Sequence, residues 1–135
     1  MCRRALVLVG QEQHGVSDSA RIGQARLSYY AAAKGGIIAL VKSVAQEVGR
    51  SGITMNVVSP GATNTELRQE REEAMLKQMG PDKYDRRVKT VLKMYPAGRI
   101  GEPDDAAAMI TFLLSDQASW VTGQVISVNG GFVML

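Results

Sequence analysis

Tyr30 and Lys34 stand four positions apart in the alanine-rich stretch SYYAAAKGG (28–36). On a helix that spacing stacks two side chains on one face. Tyr29 is five positions before Lys34 and points elsewhere. A free phenol titrates near pH ~10, so at neutral pH it is a poor base and a slow acid. A lysine ammonium beside it favours the phenolate. The pair then becomes a usable general acid/base for an alcohol or a carbonyl. A second hydroxyl close by would hold a substrate oxygen and stabilise developing charge. Ser17, thirteen positions before Tyr30, can be that donor, with Ser19 as its competitor and turn formation as its ordinary use. Alone the pair is a weak signal, because an exposed tyrosine beside a solvated lysine is its usual explanation.

The elements that must position these groups are legible as hydrophobic pattern. ALVLVG (5–10) is a short apolar run ended by glycine, which reads as a buried strand. QEQHGVSDSARIGQ (11–24) is polar and punctuated by glycine, which reads as loop. From Tyr29 to Val48 the apolar residues Ile37, Ile38, Leu40, Val41, Val44, Ala45 and Val48 recur at helical spacing. Gly35 and Gly36 weaken that helix but permit close approach of another backbone. ITMNVVSPG (53–61) reads as a strand stopped by Pro60-Gly61. Residues 64–94 are charged and helical in pattern, broken at Gly80-Pro81, with Met75, Met79 and Met94 at apolar positions that read as core filler. GEPDDAAAMITFLLS (101–115) starts a helix well: Pro103 suits the first turn, and Asp104 and Asp105 suit the positive end of its dipole. GQVISVNGG (123–131) reads as a last short strand, with Trp120 packed near it. Strand, long helix, strand, helices, strand implies an α/β fold with a parallel sheet.

Bulk composition narrows the function classes. At 135 residues, 45% hydrophobic and 21% charged, the chain suits one globular domain, 1–135. The net charge of +3 is spread over mixed-sign stretches such as RQEREE and KYDRRVK, which argues against a nucleic-acid surface. Cys2 is the only cysteine, so neither an internal disulfide nor a zinc ligand set can form. No stretch has the length of a membrane span, and the apolar N-terminal run is too short for a secretory core. A cytoplasmic setting is the expectation. His14 is a lone loop histidine and takes no role.

Taken together, Ser17-x12-Tyr30-x3-Lys34-Gly35-Gly36, NVVSPGATNTEL (56–67) and YPAGRIGEPDDAAAMITFLLSDQASWVTGQVISVNGG (95–131) resemble the short-chain dehydrogenase/reductase family. The resemblance runs through residues 17–132 in family order. SDSARIG and KGG look most like the branch of 3-oxoacyl reductases and alicyclic hydroxyacyl-CoA dehydrogenases. It implies a partial Rossmann-like, doubly wound parallel sheet, the C-terminal half of the family fold. It implies an NAD- or NADP-dependent oxidoreductase interconverting a secondary alcohol and a ketone.

By the same resemblance Tyr30 is the general acid/base, Lys34 lowers its pKa and binds the nicotinamide ribose, and Ser17 holds the carbonyl oxygen. Pro60 and Gly61 line the nicotinamide pocket, and Thr63 and Thr65 contact its carboxamide or the pyrophosphate. Thr63 and Thr65 have a plainer use as caps of the helix that follows. Tyr29 packs or lines the substrate side. Residues 64–95 form a substrate lid. The long helix and the last strand make subunit contacts in a homo-oligomer.

The family's glycine-rich turn G-x-G-x-x-G is absent from the sequence, and so are its Asn-Ala-Gly segment and the asparagine of the preceding helix. Residues 1–16 depart from the pattern, since RRALVLVG looks more like a first Rossmann strand than the strand expected before the serine. A deletion, a wrong start or a frameshift each gives this. The remaining sheet is expected to have about three strands with an exposed inner edge, and the alternative function is an inactive remnant acting through subunit association.

Overall fold

The strand that ends in Pro60-Gly61 is the middle of the sheet. In the computed structural model, which describes residues 4–9, 19–23 and 25–134, the sheet order is β1 (Arg4–Val9), β2 (Ile53–Pro60) and β3 (Val125–Val128). Both pairings are parallel, with Arg4 opposite Ile53 and Val57 opposite Val125. The helices are α1 (Ser19–Ile22), α2 (Ser28–Val48), α3 (Glu66–Met79), α4 (Pro81–Leu92) and α5 (Pro103–Leu114). The fold is therefore α/β with a parallel sheet, as the alternation implies. Among the described residues no helix is long and apolar enough to cross a membrane.

A parallel sheet needs cover on both faces, because each crossover lays a helix against it. Successive residues of β2 divide that work. Met55 and Val57 face α2, where Val41 and Ala45 are buried with Ile37, Val44 and Val125 against them. Ile37, Val41, Val44 and Ala45 recur at the helical period, so one stripe of α2 does the packing. Val58 faces the other way, onto Leu113 of α5 and Ala118, with Val7, Met109, Ile110 and Ile126 around it. β2 is buried from Met55 to Pro60 for this reason.

Cover is uneven at β1. Leu6 lies opposite Met55 and so shares the α2 face, yet it is 51% exposed. α2 packs over β2, with Val125 of β3 beside it, and leaves Leu6 of β1 open. β1 is the edge strand on that side, in keeping with the expected open edge.

One buried polar residue ties the sheet to the segment before β3. The Asn56 amide donates to the Val121 carbonyl at 2.9 Å, and its oxygen accepts from Gln124 N at 3.0 Å. Both functions of a side chain that is 1% exposed are thus satisfied.

The structure corrects several expectations. Residues 11–24 were expected to be loop throughout, but Ser19–Ile22 form a helical turn. Local polarity hid it: a one-turn helix has too few residues to show a period. Gly36 meets nothing within 4 Å where a Cβ would stand, so no backbone approaches it closely. Trp120 is 97% exposed rather than packed near β3. Met75, Met79 and Met94 are not core, since neither α3 nor α4 has a buried residue and Met94 is 51% exposed. Tyr29 is 74% exposed, so of its two expected uses packing is not seen.

Candidate active site

The crossover β1–α2–β2 fixes which end of the fold Tyr30 occupies. A helix joining two parallel strands must run back against them, so its start lies at their C-terminal ends. The other end of α2 agrees: Ala45 Cβ lies 3.6 Å from where a Cβ on Gly123 would stand, beside the start of β3. Tyr30 and Lys34, in the first turns of α2, therefore share the sheet edge where β2 ends in Pro60.

Within that turn the two side chains meet. Lys34 Nζ lies 5.6 Å from the centroid of the Tyr30 ring, a cation–π distance. Both residues are half-buried, whereas Tyr29 is exposed. The helical spacing thus selects Tyr30 over Tyr29 in three dimensions as well. Ser17 lies outside the described residues.

Pro60 and Gly61 are shaped by close packing of the backbone. Gly61 N donates to the Val128 carbonyl at 2.9 Å, continuing the β2–β3 ladder by one bond. A Cβ on Gly61 would come within 2.7 Å of Asn129 Cα. Only glycine lets the two strand ends pass at that distance. The chain then turns through Thr63, whose hydroxyl donates to the Gly61 carbonyl at 2.9 Å. Thr63 forms a parallel bridge with Gly101, and Gly101 N donates to the Ala62 carbonyl at 3.0 Å. Thr65 is the N-cap of α3: its hydroxyl oxygen accepts from Arg68 N at 3.3 Å. The capping use of Thr65 is therefore real, while its own O–H stays available as a donor. Thr63 has spent its proton on Gly61 and keeps acceptor capacity.

Lys34 makes no ion pair among the described residues, and Thr65 keeps a donor at the same sheet edge. Among the described residues no group of His, Cys, Asp and Glu could hold a metal ion.

Sequence reading missed the polar cluster that joins α3 to α4. Glu72 accepts from Arg87 at 2.9 Å and pairs with Arg68 at 3.1 Å. Tyr84 hydrogen-bonds the same carboxylate; burial and that bond push the phenol above its ordinary value. Arg68 and Glu72 stand four apart on α3, which was readable, but Arg87 is fifteen residues away and was not. A cleft of about 400 Å³ opens beside the cluster, lined by Arg68, Glu72, Arg87, Val88, Val91 and Ile100. Neither Tyr30 nor Lys34 lines it.

A second missed contact secures the start of α5. Arg99 meets Asp105 through two bonds of 2.7 Å, and Asp105 also accepts from Glu102 N at 2.7 Å. The guanidinium, with the backbone bond, holds the Asp105 carboxyl well below the usual carboxylate range.

Comparison with known proteins agrees with this architecture. A family model described as enoyl-(acyl carrier protein) reductase matches residues 14–133. The 2,3-dihydroxy-2,3-dihydro-p-cumate dehydrogenase of Pseudomonas putida is 41% identical over 119 residues, covering 88% of this chain and 42% of that protein. A 3-oxoacyl-(acyl-carrier-protein) reductase of Salmonella typhimurium is 40% identical over 114 residues, covering 84% of this chain and 42% of that protein. A crystal structure of a short chain dehydrogenase family protein from Francisella tularensis superposes with a TM-score of 0.77 at 29% identity, over 95% of this chain and 50% of that one. The chain thus spans about two fifths of the length of these curated relatives, 42% in each. A strand–helix–strand unit with Tyr30 and Lys34 at the strand ends, matched over nearly its whole length, places the chain in the short-chain dehydrogenase/reductase family.

Proposed function

We propose that this chain carries the proton-transfer part of an NAD- or NADP-dependent oxidoreductase that interconverts a secondary alcohol and a ketone. The observation that carries the reading is the Lys34 ammonium 5.6 Å from the Tyr30 ring centroid, at the C-terminal edge of a parallel sheet. Tyr30 is the general acid/base at the substrate oxygen. Lys34 keeps positive charge beside it, which favours the phenolate in the step where the proton leaves. Ser17 is the hydroxyl that fixes the substrate oxygen. Lys34, Tyr30, Pro60, Gly61, Thr63 and Thr65 would hold the nicotinamide end of the cofactor, which supplies or accepts the hydride when bound. Residues 64–95 act as the lid. The substrate is a small molecule, the setting cytoplasmic, and the working unit a homo-oligomer.

A second reading is favoured by one observation: these 135 residues hold no glycine-rich turn G-x-G-x-x-G. In that reading it is an inactive remnant acting through subunit association. Without that turn, micromolar dinucleotide affinity is not expected from the 135-residue chain by itself.

Calorimetric titration with NADH and with NADPH, followed by a ketone-reduction assay, separates the two. Saturable binding of either, with reduction falling by about a hundredfold or more in Tyr30→Phe, supports the oxidoreductase. A folded chain that binds neither leaves the remnant.

A further inference from the structure

Away from the Tyr30 edge, a cleft of about 290 Å³ lies between α1, α2 and the start of β3. Arg21, Lys42 and Gln124 line it, with Gly35 and Ile38 behind. Among the described residues no aspartate or glutamate lines it. Among the described residues neither Arg21 nor Lys42 forms an ion pair, although the chain pairs other arginines closely. Two cations with no acid between them attract an anion, and a cleft focuses that field.

Arg21 is also held in place. Its guanidinium donates to the Ser127 hydroxyl at 3.1 Å, joining residues 106 positions apart. That bond uses one of five N–H donors and leaves the rest for a ligand. A planar fork, anchored at one end, recognises phosphate oxygens with less lost freedom than a loose side chain. The Lys42 ammonium supplies the second positive charge from α2.

We propose that this cleft binds the phosphate group of a small phosphate monoester. Two cations suit a doubly charged phosphate better than a single carboxylate. The cleft is wider than a bare phosphate requires, so the organic part of the ester has room beside Ile38 and Val125.

The test follows the backbone amides of Gly123 and Gln124 by NMR. Glycerol 3-phosphate and inorganic phosphate are titrated separately, against sodium chloride at equal ionic strength. The expected result is a saturable shift with glycerol 3-phosphate, weakened at least about tenfold in Lys42→Ala and in Arg21→Ala. Lys42 is exposed on α2, so its replacement leaves the fold intact. Lys77→Ala, on α3, is expected to bind as the parent does. Tighter binding of inorganic phosphate than of the ester overturns the monoester assignment. Shifts equal to those in chloride, or unchanged in both cleft variants, overturn the site.

Discussion

Gly61 and Asn129 cross so closely that a Cβ on the first would lie 2.7 Å from Cα and 2.9 Å from Cβ of the second. The contact joins the ends of β2 and β3, where Pro60, Gly61 and Thr63 form one edge of the candidate site. Gly61→Ala must push the two strand ends apart. The expected loss is about 1–3 kcal/mol, the range for overpacking a tight site. Urea unfolding measures it, and an unchanged midpoint would show that the crossing relaxes freely.

Asn56 serves two backbone partners from inside the sheet. Asn56→Ala leaves the Val121 carbonyl and the Gln124 amide without it. Stranding buried polar groups costs about 1–3 kcal/mol each. Chemical denaturation is expected to show a loss in that range, and Asn56→Leu is expected to be no better, since volume cannot replace the hydrogen bonds.

Glu72 joins α3 to α4 through Arg87 and Tyr84. Neither helix buries a residue, so local opening reports this cluster better than global unfolding. Glu72→Gln is expected to weaken the hairpin by about 1 kcal/mol, within the range for part-exposed pairs. Amide exchange within α3 and α4 should then quicken about fivefold. The same change should lower the Tyr84 phenol toward its ordinary value in a spectrophotometric titration, though not fully, because burial is the larger cause.

Asp105 makes stability depend on acid. Its carboxyl is held below its unfolded value, chiefly by Arg99 and then by Glu102 N. The unfolded group titrates near pH ~4. The stabilisation is complete above that pH and is lost as pH falls from there through the folded value. Asp105→Asn is expected to flatten the acid limb of a stability–pH profile below about pH 4 and to leave its shape at neutral pH unchanged. An acid limb identical to the parent's would contradict the assignment.

Periodicity alone was enough for the parallel α/β order. The apolar stripe of α2 and the runs in β2 and β3 each carry their own period, and the break at Gly80-Pro81 separates α3 from α4 where expected. That Tyr30 rather than Tyr29 stands beside Lys34 was also legible in the helical spacing. The turn of α1 was illegible because four residues show no period. Trp120 misled because a large aromatic is normally covered, and sequence cannot say whether a surface nearby will cover it.

What the sequence determined by itself was local: which segments are helix or strand, which tyrosine stands over Lys34, and the Pro60-Gly61 stop. The tertiary structure alone decided the contacts between distant segments. It set Gly61 against Asn129, Arg87 on Glu72, Arg21 on Ser127, and left Leu6 uncovered on β1. The reason is physical. Helix and strand periods are written in neighbouring residues, whereas charge pairs and close backbone crossings depend on how whole elements pack, and no short window of sequence encodes that.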